Sequence, residues 1–428
     1  MKKIYLHTLG CPKNITDSEI LLYQIKKNGF LISNNPSNSD IVLINTCGFI
    51  NDAKDESLEY IFEIVKLKQK GNIGKIIVFG CLSKRYSQIL SKQIPEVDHF
   101  FGVNDLSKIL KQIGVKKAPT DLYYHSLITP PHYAYIKISD GCNHKCSFCA
   151  IPSIKGKYKS KKISTIIKEI SFLPDSVKEI NLVAQDITYY GKDIYQKYSL
   201  YKLLKNISSI SNDKWIRLLY AYPNNFPYEI LDIILDNNFF CKYLDIPIQH
   251  VSHSVLKSMK RGGDRKSIEK LFNNIRKRIP NIALRTSIIV GYPTETKKDF
   301  YELIDFLKEQ KIDRVGVFTY SHEENTGAYL LKDSISSKIK EMRKEIVMEI
   351  QREISNNLNS KKIGKIFNVL IDDKDENYYY GRTEYDAPEI DNLVLIKKEK
   401  NTSLKIGQFT KVLITDYSDY DLYGKIII

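Results

Sequence analysis

One stretch constrains this chain more than any other: Ser139-Asp140-Gly141-Cys142-Asn143-His144-Lys145-Cys146-Ser147-Phe148-Cys149-Ala150. Its three cysteines stand at spacing C-x3-C-x2-C. Three thiolates are one short of the four that close a structural zinc site or a fully ligated iron–sulfur cluster. A 4Fe–4S cube held by three cysteines keeps one iron open. Such an iron can bind a small molecule through nitrogen and oxygen and pass it an electron. The alternative is a zinc knuckle with His144 as fourth ligand, or cysteines that are merely buried.

The chain has 428 residues, enough for two or three domains with cores of their own. Hydrophobic residues make up 43%, which excludes a disordered chain. No apolar run approaches the roughly 18 residues of a membrane span. Only Ile4-Tyr5-Leu6 follows the first lysines, too little for a signal-peptide core. These features place the protein in the cytoplasm, where seven cysteines are better read as ligands or redox groups than as disulfides. The net charge of +15 favours polyanionic company such as RNA or the ribosome.

Residues 1 to 125 read as a Rossmann-like or flavodoxin-like α/β domain. Lys3 to Gly10, Asp40 to Asn45 and Lys75 to Gly80 are strands, the last two continuously apolar as in a parallel sheet covered on both faces. Helices are expected from Asp17 to Asn28 and from Ala53 to Gln69. Each strand runs into a cysteine: Cys11, Cys47 and Cys81. Ligand crevices of open parallel sheets lie outside the carboxyl ends of the strands, so three thiolates can converge there on one metal centre. Each could also be a small buried hydrophobe.

Residues 115 to 131 read as a connector. From 128 to 358, six strand–helix units alternate, which suggests an incomplete barrel of TIM type with its chemistry at the strand carboxyl ends. Ile335 to Leu358 reads as a charged helix that links the barrel to the last domain. From 361 to 428 the pattern changes to short strands separated by polar turns: Phe367–Ile371, Tyr378–Gly381, Leu393–Ile396, Phe409–Thr415 and Leu422–Ile428. This is the pattern of a small closed β-barrel. Cys241 has no motif around it and reads as structural.

With these residues in view, the chain resembles the radical S-adenosylmethionine (SAM) methylthiotransferases along nearly its whole length. That family orders an N-terminal cysteine domain, a radical-SAM barrel and a C-terminal TRAM barrel. Thr8-Leu9-Gly10-Cys11-Pro12-Lys13-Asn14 and Asp386-Ala387-Pro388-Glu389-Ile390-Asp391 are most similar to the RimO-type branch. Ala184-Gln185-Asp186 and Leu244-Asp245-Ile246-Pro247-Ile248-Gln249-His250 are similar to the same branch. Lys155, Lys159 and Lys161 stand where the family tends to have arginine.

The resemblance implies two 4Fe–4S clusters. Cys142, Cys146 and Cys149 would hold the one that cleaves SAM to a radical. Cys11, Cys47 and Cys81 would hold an auxiliary one that delivers sulfur, and a second SAM would supply the methyl group. Phe148 matches the aromatic that packs by the adenine of SAM. Gln185, Gln249 and Ile289, on strand-end loops, are the further candidates for holding SAM. His144 is expected to face solvent. Breaking an unactivated C–H bond is beyond any side-chain base, so a cofactor must carry that step. The implied substrate is an aspartate β-carbon of the twelfth small-subunit ribosomal protein, with an external electron donor and only secondary nucleic-acid contact. The alternatives are the same chemistry on a tRNA adenosine and a non-catalytic Fe–S protein that binds RNA. Residues 372 to 391 carry eight acids against Lys374 and Arg382, an acidic stretch expected to dock the basic ribosomal protein.

Overall fold

The computed structural model describes residues 2–210, 213–399 and 403–427. The first domain comprises β1 (Lys3–Thr8), α1 (Pro12–Lys27), β2 (Leu31–Ile32), β3 (Ile41–Thr46), α2 (Asn51–Gln69), β4 (Lys75–Gly80), α3 (Cys81–Gln93), β5 (His99–Phe101) and α4 (Leu106–Ile113). Its sheet has the order β2-β1-β3-β4-β5 and is parallel throughout. Val42 and Ile44 pack on one face and Ile41 and Leu43 on the other, which explains the unbroken apolar run. The first helix begins at Pro12, not at Asp17. Proline is pre-set for the first helical position, and Cys11 stands outside it as the N-cap. The connector is strapped down: buried His125 lies between Glu19 and Glu169, and the Ser126 N–H donates to the Glu19 carbonyl.

The middle of the chain opens with β6 (Tyr133–Lys137). A ribbon of β7 (Ser139–Asp140) and β8 (Lys159–Ser160) brackets α5 (Ile151–Lys155). Then come α6 (Ile163–Ser171), β9 (Glu179–Val183), α7 (Leu200–Ser208), β10 (Trp215–Leu218), α8 (Ile230–Asp236), β11 (Phe240–Asp245), α9 (His253–Ser258), α10 (Arg265–Arg278), β12 (Ala283–Val290), α11 (Lys297–Gln310) and β13 (Arg314–Thr319). The six main strands form one sheet in the order β13-β12-β11-β10-β9-β6. Alternation sends Ala134, Ile136, Ile180, Leu182 and Ile216 toward the helices. The intervening residues, among them Tyr133, Tyr135, Val183, Trp215 and Tyr243, line the other face, the lumen. The charged helix α12 (Ser337–Ser360) is part of the barrel wall rather than a linker. Its buried Val347, Gln351 and Ile354 lie on the side that packs against β13.

The last domain is a closed barrel of β14 (Ile366–Lys374), β15 (Tyr378–Thr383), β16 (Val394–Lys397), β17 (Phe409–Tyr417) and β18 (Leu422–Ile426), in the order β14-β15-β16-β18-β17. Ile428, the expected end of the last strand, lies outside the described residues.

This small barrel stoppers the lumen. Leu370 and Ala387 join the lumen cluster, and Phe409 packs edge-on against Trp215 at 4.8 Å between ring centres. The acids of the motif do not form a free docking face, which corrects the expectation drawn from their charge. Asp386 is buried against Arg314. Asp391 accepts from the Tyr243 hydroxyl at 2.7 Å and sits 3.6 Å from Arg285. Asp372 binds Arg382 and His132, and Glu384 accepts from the Lys242 N–H. Glu389 accepts from the Tyr133 hydroxyl. Asp373, Asp375 and Glu376 are exposed at the far turn, away from the motif. The charge count was right, but most of its partners are the chain's own lumen residues.

Burial alone would raise the Asp386 carboxyl. Arg314 and Lys362 outweigh it and hold the group below the usual carboxylate range. Asp372 is likewise lowered, burial being overcome by His132 and Arg382. A depressed folded value stabilises the dock fully above the unfolded carboxylate value of about 4, and that stability is lost as pH falls through the folded value. Thermal midpoints recorded from pH 6 downward should therefore drop below about pH 4. Asp386→Asn should show a shallower drop, and an unchanged profile would discount this pair.

Candidate active site

Three loops at the carboxyl ends of β1, β3 and β4 carry Cys11, Cys47 and Cys81. Cys11 caps α1, and Cys81 opens α3, so both thiols lie at helix N-termini, where the backbone favours negative charge. Asn14 stitches the loops together. Its amide donates to the Leu9 carbonyl at 3.0 Å and the Thr46 carbonyl at 3.3 Å. Its side-chain oxygen lies 3.9 Å from the Cys81 sulfur. Gly10 has φ +91°, and a Cβ there would lie 2.7 Å from the Cys47 Cβ, so no side chain fits between these two loops.

The second trio stands on the loop between β7 and α5. Gly141 turns that loop with φ +70°, and a Cβ there would meet the Lys157 carbonyl at 2.2 Å. The loop is pinned by backbone contacts: Cys142 N–H to the Gly156 carbonyl at 3.1 Å, Ser147 N–H to the Met259 carbonyl at 2.9 Å, and Cys149 N–H to the Cys146 carbonyl at 3.1 Å. His144 is held rather than solvent-facing. Its ring stacks on Tyr222 at 3.7 Å between centres, and Nε2 lies 2.7 Å from an Asp186 oxygen. That engagement draws it away from a zinc-ligand role.

The two trios abut. Cys81 packs against Ala150 and Ile154, and Ala150 directly follows Cys149. Asp17 of α1 bridges Lys137 and Lys155 of the barrel, with Lys155 at 3.1 Å. Asp140 completes this charge quartet, 3.0 Å from Lys137. Elsewhere Arg85 and Lys54 bind Glu323 beyond β13, at 2.9 and 3.0 Å. The first domain thus caps the barrel with its cysteines facing inward. Lys155 and Lys161, at positions where arginine was the family expectation, are both ion-pair partners, the latter of Glu169 at 2.6 Å; Lys159 is exposed.

Both trios suit iron–sulfur clusters by the chemistry of their donors. Burial pushes the Cys81 and Cys149 thiols up to about 12 and the Cys142 thiol up to about 11; it also raises Cys47. Within each trio the thiols act electrostatically on one another, Cys81 feeling Cys11 and Cys47, and Cys149 feeling Cys146 and Cys142. Such thiols become thiolates only against added positive charge, which iron supplies. Among the described residues no three His, Cys, Asp or Glu side chains converge on a single-ion site. A cube asks for something wider, since each thiolate binds a different iron.

Phe148, Gln249 and Ile289 come together. Phe148 and Ile289 flank one apolar patch with Met259, Tyr292 and Tyr320. The Ile289 N–H donates to the Gln249 carbonyl at 2.8 Å, with Gln249 itself at φ +70°. Gln185 is placed elsewhere, on the flank of the cysteine loop beside Asp186. Cys241 is a lumen packing residue. Sequence reasoning missed Arg261, whose guanidinium lies 3.5 Å from the Cys146 sulfur and 4.5 Å from the Tyr222 ring centre. The available signal was an arginine ahead of two glycines, Gly262 and Gly263, both with positive φ. Tyr220 was missed as well. It follows β10 with φ +69°, a backbone state that costs an aromatic residue on the order of 1–3 kcal/mol.

Residues 3–102 match the uncharacterized protein family UPF0004, 136–307 the radical SAM superfamily and 363–427 the TRAM domain. A Cytophaga hutchinsonii protein named ribosomal protein uS12 methylthiotransferase RimO is 46% identical, covering 99% of this chain and 98% of that relative. A Chloroherpeton thalassium protein of the same name is 45% identical over 100% of this chain and 99% of its own. The chain belongs to the RimO family. Among solved structures, the radical SAM methyltransferase TsrM from Kitasatospora setae matches with a TM-score of 0.55 at 14% identity, over 74% of this chain and 73% of that one. The cobalamin-dependent radical SAM enzyme OxsB matches at 0.52 and 12% identity, over 83% of this chain and 56% of that one. These two share the fold alone. RimO membership makes the chain a radical-SAM methylthiotransferase, with an α/β cysteine domain, an open six-stranded barrel and a TRAM barrel. No described helix is long and apolar enough to cross a membrane.

Proposed function

We propose that this chain methylthiolates the β-carbon of an aspartate of ribosomal protein uS12. In this reading residues 1–125 carry an auxiliary 4Fe–4S cluster on Cys11, Cys47 and Cys81. Residues 128–358 hold the radical-SAM cluster on Cys142, Cys146 and Cys149, and residues 361–428 seal the lumen from below. The observation that carries it is the packing of Cys81 on Ala150, which sets two three-thiol loops from different domains side by side. The chemistry supplied by the bound clusters is radical formation from SAM at one and sulfur delivery at the other.

The chain's own residues position and seclude. Phe148 and Ile289 offer an apolar wall for an adenine. Gln249 joins that wall through its carbonyl, which accepts from the Ile289 N–H, and Arg261 sets a cation against Cys146. Asn14 holds the auxiliary loops in register. The floor is closed by the C-terminal barrel, which keeps water from a reactive intermediate. An external electron donor completes the system. The net charge of +15 and the TRAM domain support work beside ribosomal RNA, with the nucleic acid as neighbour rather than substrate.

The test is mass spectrometry of ribosomal proteins and of tRNA from cells with and without the protein. A methylthio group on the uS12 aspartate that vanishes with the protein supports the reading; one that vanishes from a tRNA adenosine instead overturns it. Replacing Cys11, Cys47 and Cys81 with alanine should stop product formation yet leave some SAM cleavage, measured as 5′-deoxyadenosine. Undiminished product would refute sulfur delivery from this trio.

A further inference from the structure

Lys13 is a buried cation beside the lumen. It is 6% exposed, and its ammonium lies over the Tyr220 ring, 3.6 Å from the centre. Its ammonium has no ion pair or hydrogen bond among the described residues. Lys137, Lys155, Arg217, Arg285, Arg314 and Arg382 around the lumen each pair with a carboxylate, whereas Arg261, set against the Cys146 sulfur, is a second buried cation with no carboxylate partner among the described residues. A buried unpaired charge is penalised far more heavily than a cation–π contact compensates. The three N–H donors of Lys13 have no acceptor among the described residues and are free to hold an entering anion.

The surroundings say where that anion sits. Lys13 is two residues beyond Cys11. The contact of Lys13 with the Tyr220 ring brings the auxiliary loop against the residues that follow β10. The backbone of Tyr220 is strained to present its ring there. Asp245 gives one oxygen to Arg285 at 3.2 Å, and its buried Oδ2 has no hydrogen-bond partner among the described residues. Asn181, fully buried on the lumen face of β9, has neither amide atom partnered. An entering group with both a negative charge and polar atoms would meet unfilled partners along the lumen.

We propose that Lys13 clasps the carboxylate of the substrate aspartate and so fixes its β-carbon beside the auxiliary centre. This rests on the proposed reaction and names the residue that makes it selective for a carboxylate. Lys13 is then a specificity-determining residue, a contact that an uncharged target side chain cannot satisfy.

The test measures affinity rather than turnover. Reconstituted native protein, Lys13→Met and Lys13→Arg are titrated with uS12 carrying its target aspartate, and with uS12 in which that aspartate is asparagine. A hydrogen-bonded charge pair predicts that the native protein prefers the aspartate form by roughly 10- to 100-fold. Lys13→Met should lose that preference, and Lys13→Arg should keep part of it. Iron content reports whether each variant is folded; should Lys13→Met fail to hold iron, the Lys13→Arg comparison decides alone. Equal preference in native protein and Lys13→Met, or none in native protein, overturns the assignment. If native protein binds neither form and modifies no uS12, the proposed function itself has failed, and this failure is distinguishable from the others by the cellular mass spectrometry.

Discussion

Replacing Cys142, Cys146 and Cys149 together with alanine is expected to abolish SAM cleavage and halve the iron, from about eight to about four per chain. The loop should keep its path, because its anchors are backbone contacts to Gly156, Met259 and Cys146 and the turn at Gly141, none of which uses a sulfur. The other trio stands on a different domain, with its own stitching by Asn14. Its iron should survive. Iron and sulfide assays with and without reconstitution, and 5′-deoxyadenosine release, measure both effects. Full iron retention in the variant would mean that this loop is not a cluster site.

The second large effect is on stability, from Arg382→Met. Arg382 is 1% exposed and joins three elements: Glu179 at 2.7 Å, Asp372 at 2.7 Å and the Asp386 carbonyl at 3.0 Å. Its removal takes one cation from fully buried Glu179, which keeps Arg217 at 2.8 Å, and one from half-buried Asp372, which keeps His132 at 2.7 Å. Breaking a buried pair from one side costs about 3–5 kcal/mol. That is a large part of the roughly 5–15 kcal/mol by which a typical domain is stable. Urea melts should show the C-terminal barrel leaving the lumen early, with new protease cuts between α12 and β14. Adding Glu179→Gln should recover part of the loss, since the uncompensated charge goes with it. A loss below about 1 kcal/mol would show the dock to be held by apolar contacts alone.

Much of this architecture was legible in the sequence because its signals are local. An apolar run that stops at a cysteine marks a buried parallel strand and its ligand end at once, as at Ile41–Cys47 and Lys75–Cys81. The C-x3-C-x2-C loop is likewise self-contained. What was misread depends on partners far along the chain. Asp386 and Asp391 count as surface charge until Arg314 and Tyr243 are seen beside them. The helix at Ser337–Ser360 carries a charged pattern because lysine and arginine reach over its buried face: Lys340 binds Asp333, and Arg343 binds Glu295. Lys13 stands in the Cys11 motif, but only the fold lays it against Tyr220. Arg261 sits some way along the chain from the cysteine it approaches, with no spacing rule to connect them.

The stopper has a consequence for how the molecule is made. A chain leaves the ribosome from its N-terminus, and domains generally fold as they emerge. Here the barrel strands are complete at Thr319, yet the residues that close their lumen, Glu384 to Asp391, come only after α12 and two further strands. In that interval Arg217, Arg285 and Arg314 face open water, and the cysteine loops stand over an unsealed cavity. A nascent chain arrested before Asp391 would therefore carry every thiol of both trios and still lack a dry chamber. Loading such a chain with iron would leave nothing beneath the loops to exclude solvent, so a segment synthesised late acts as the safety catch on one synthesised early.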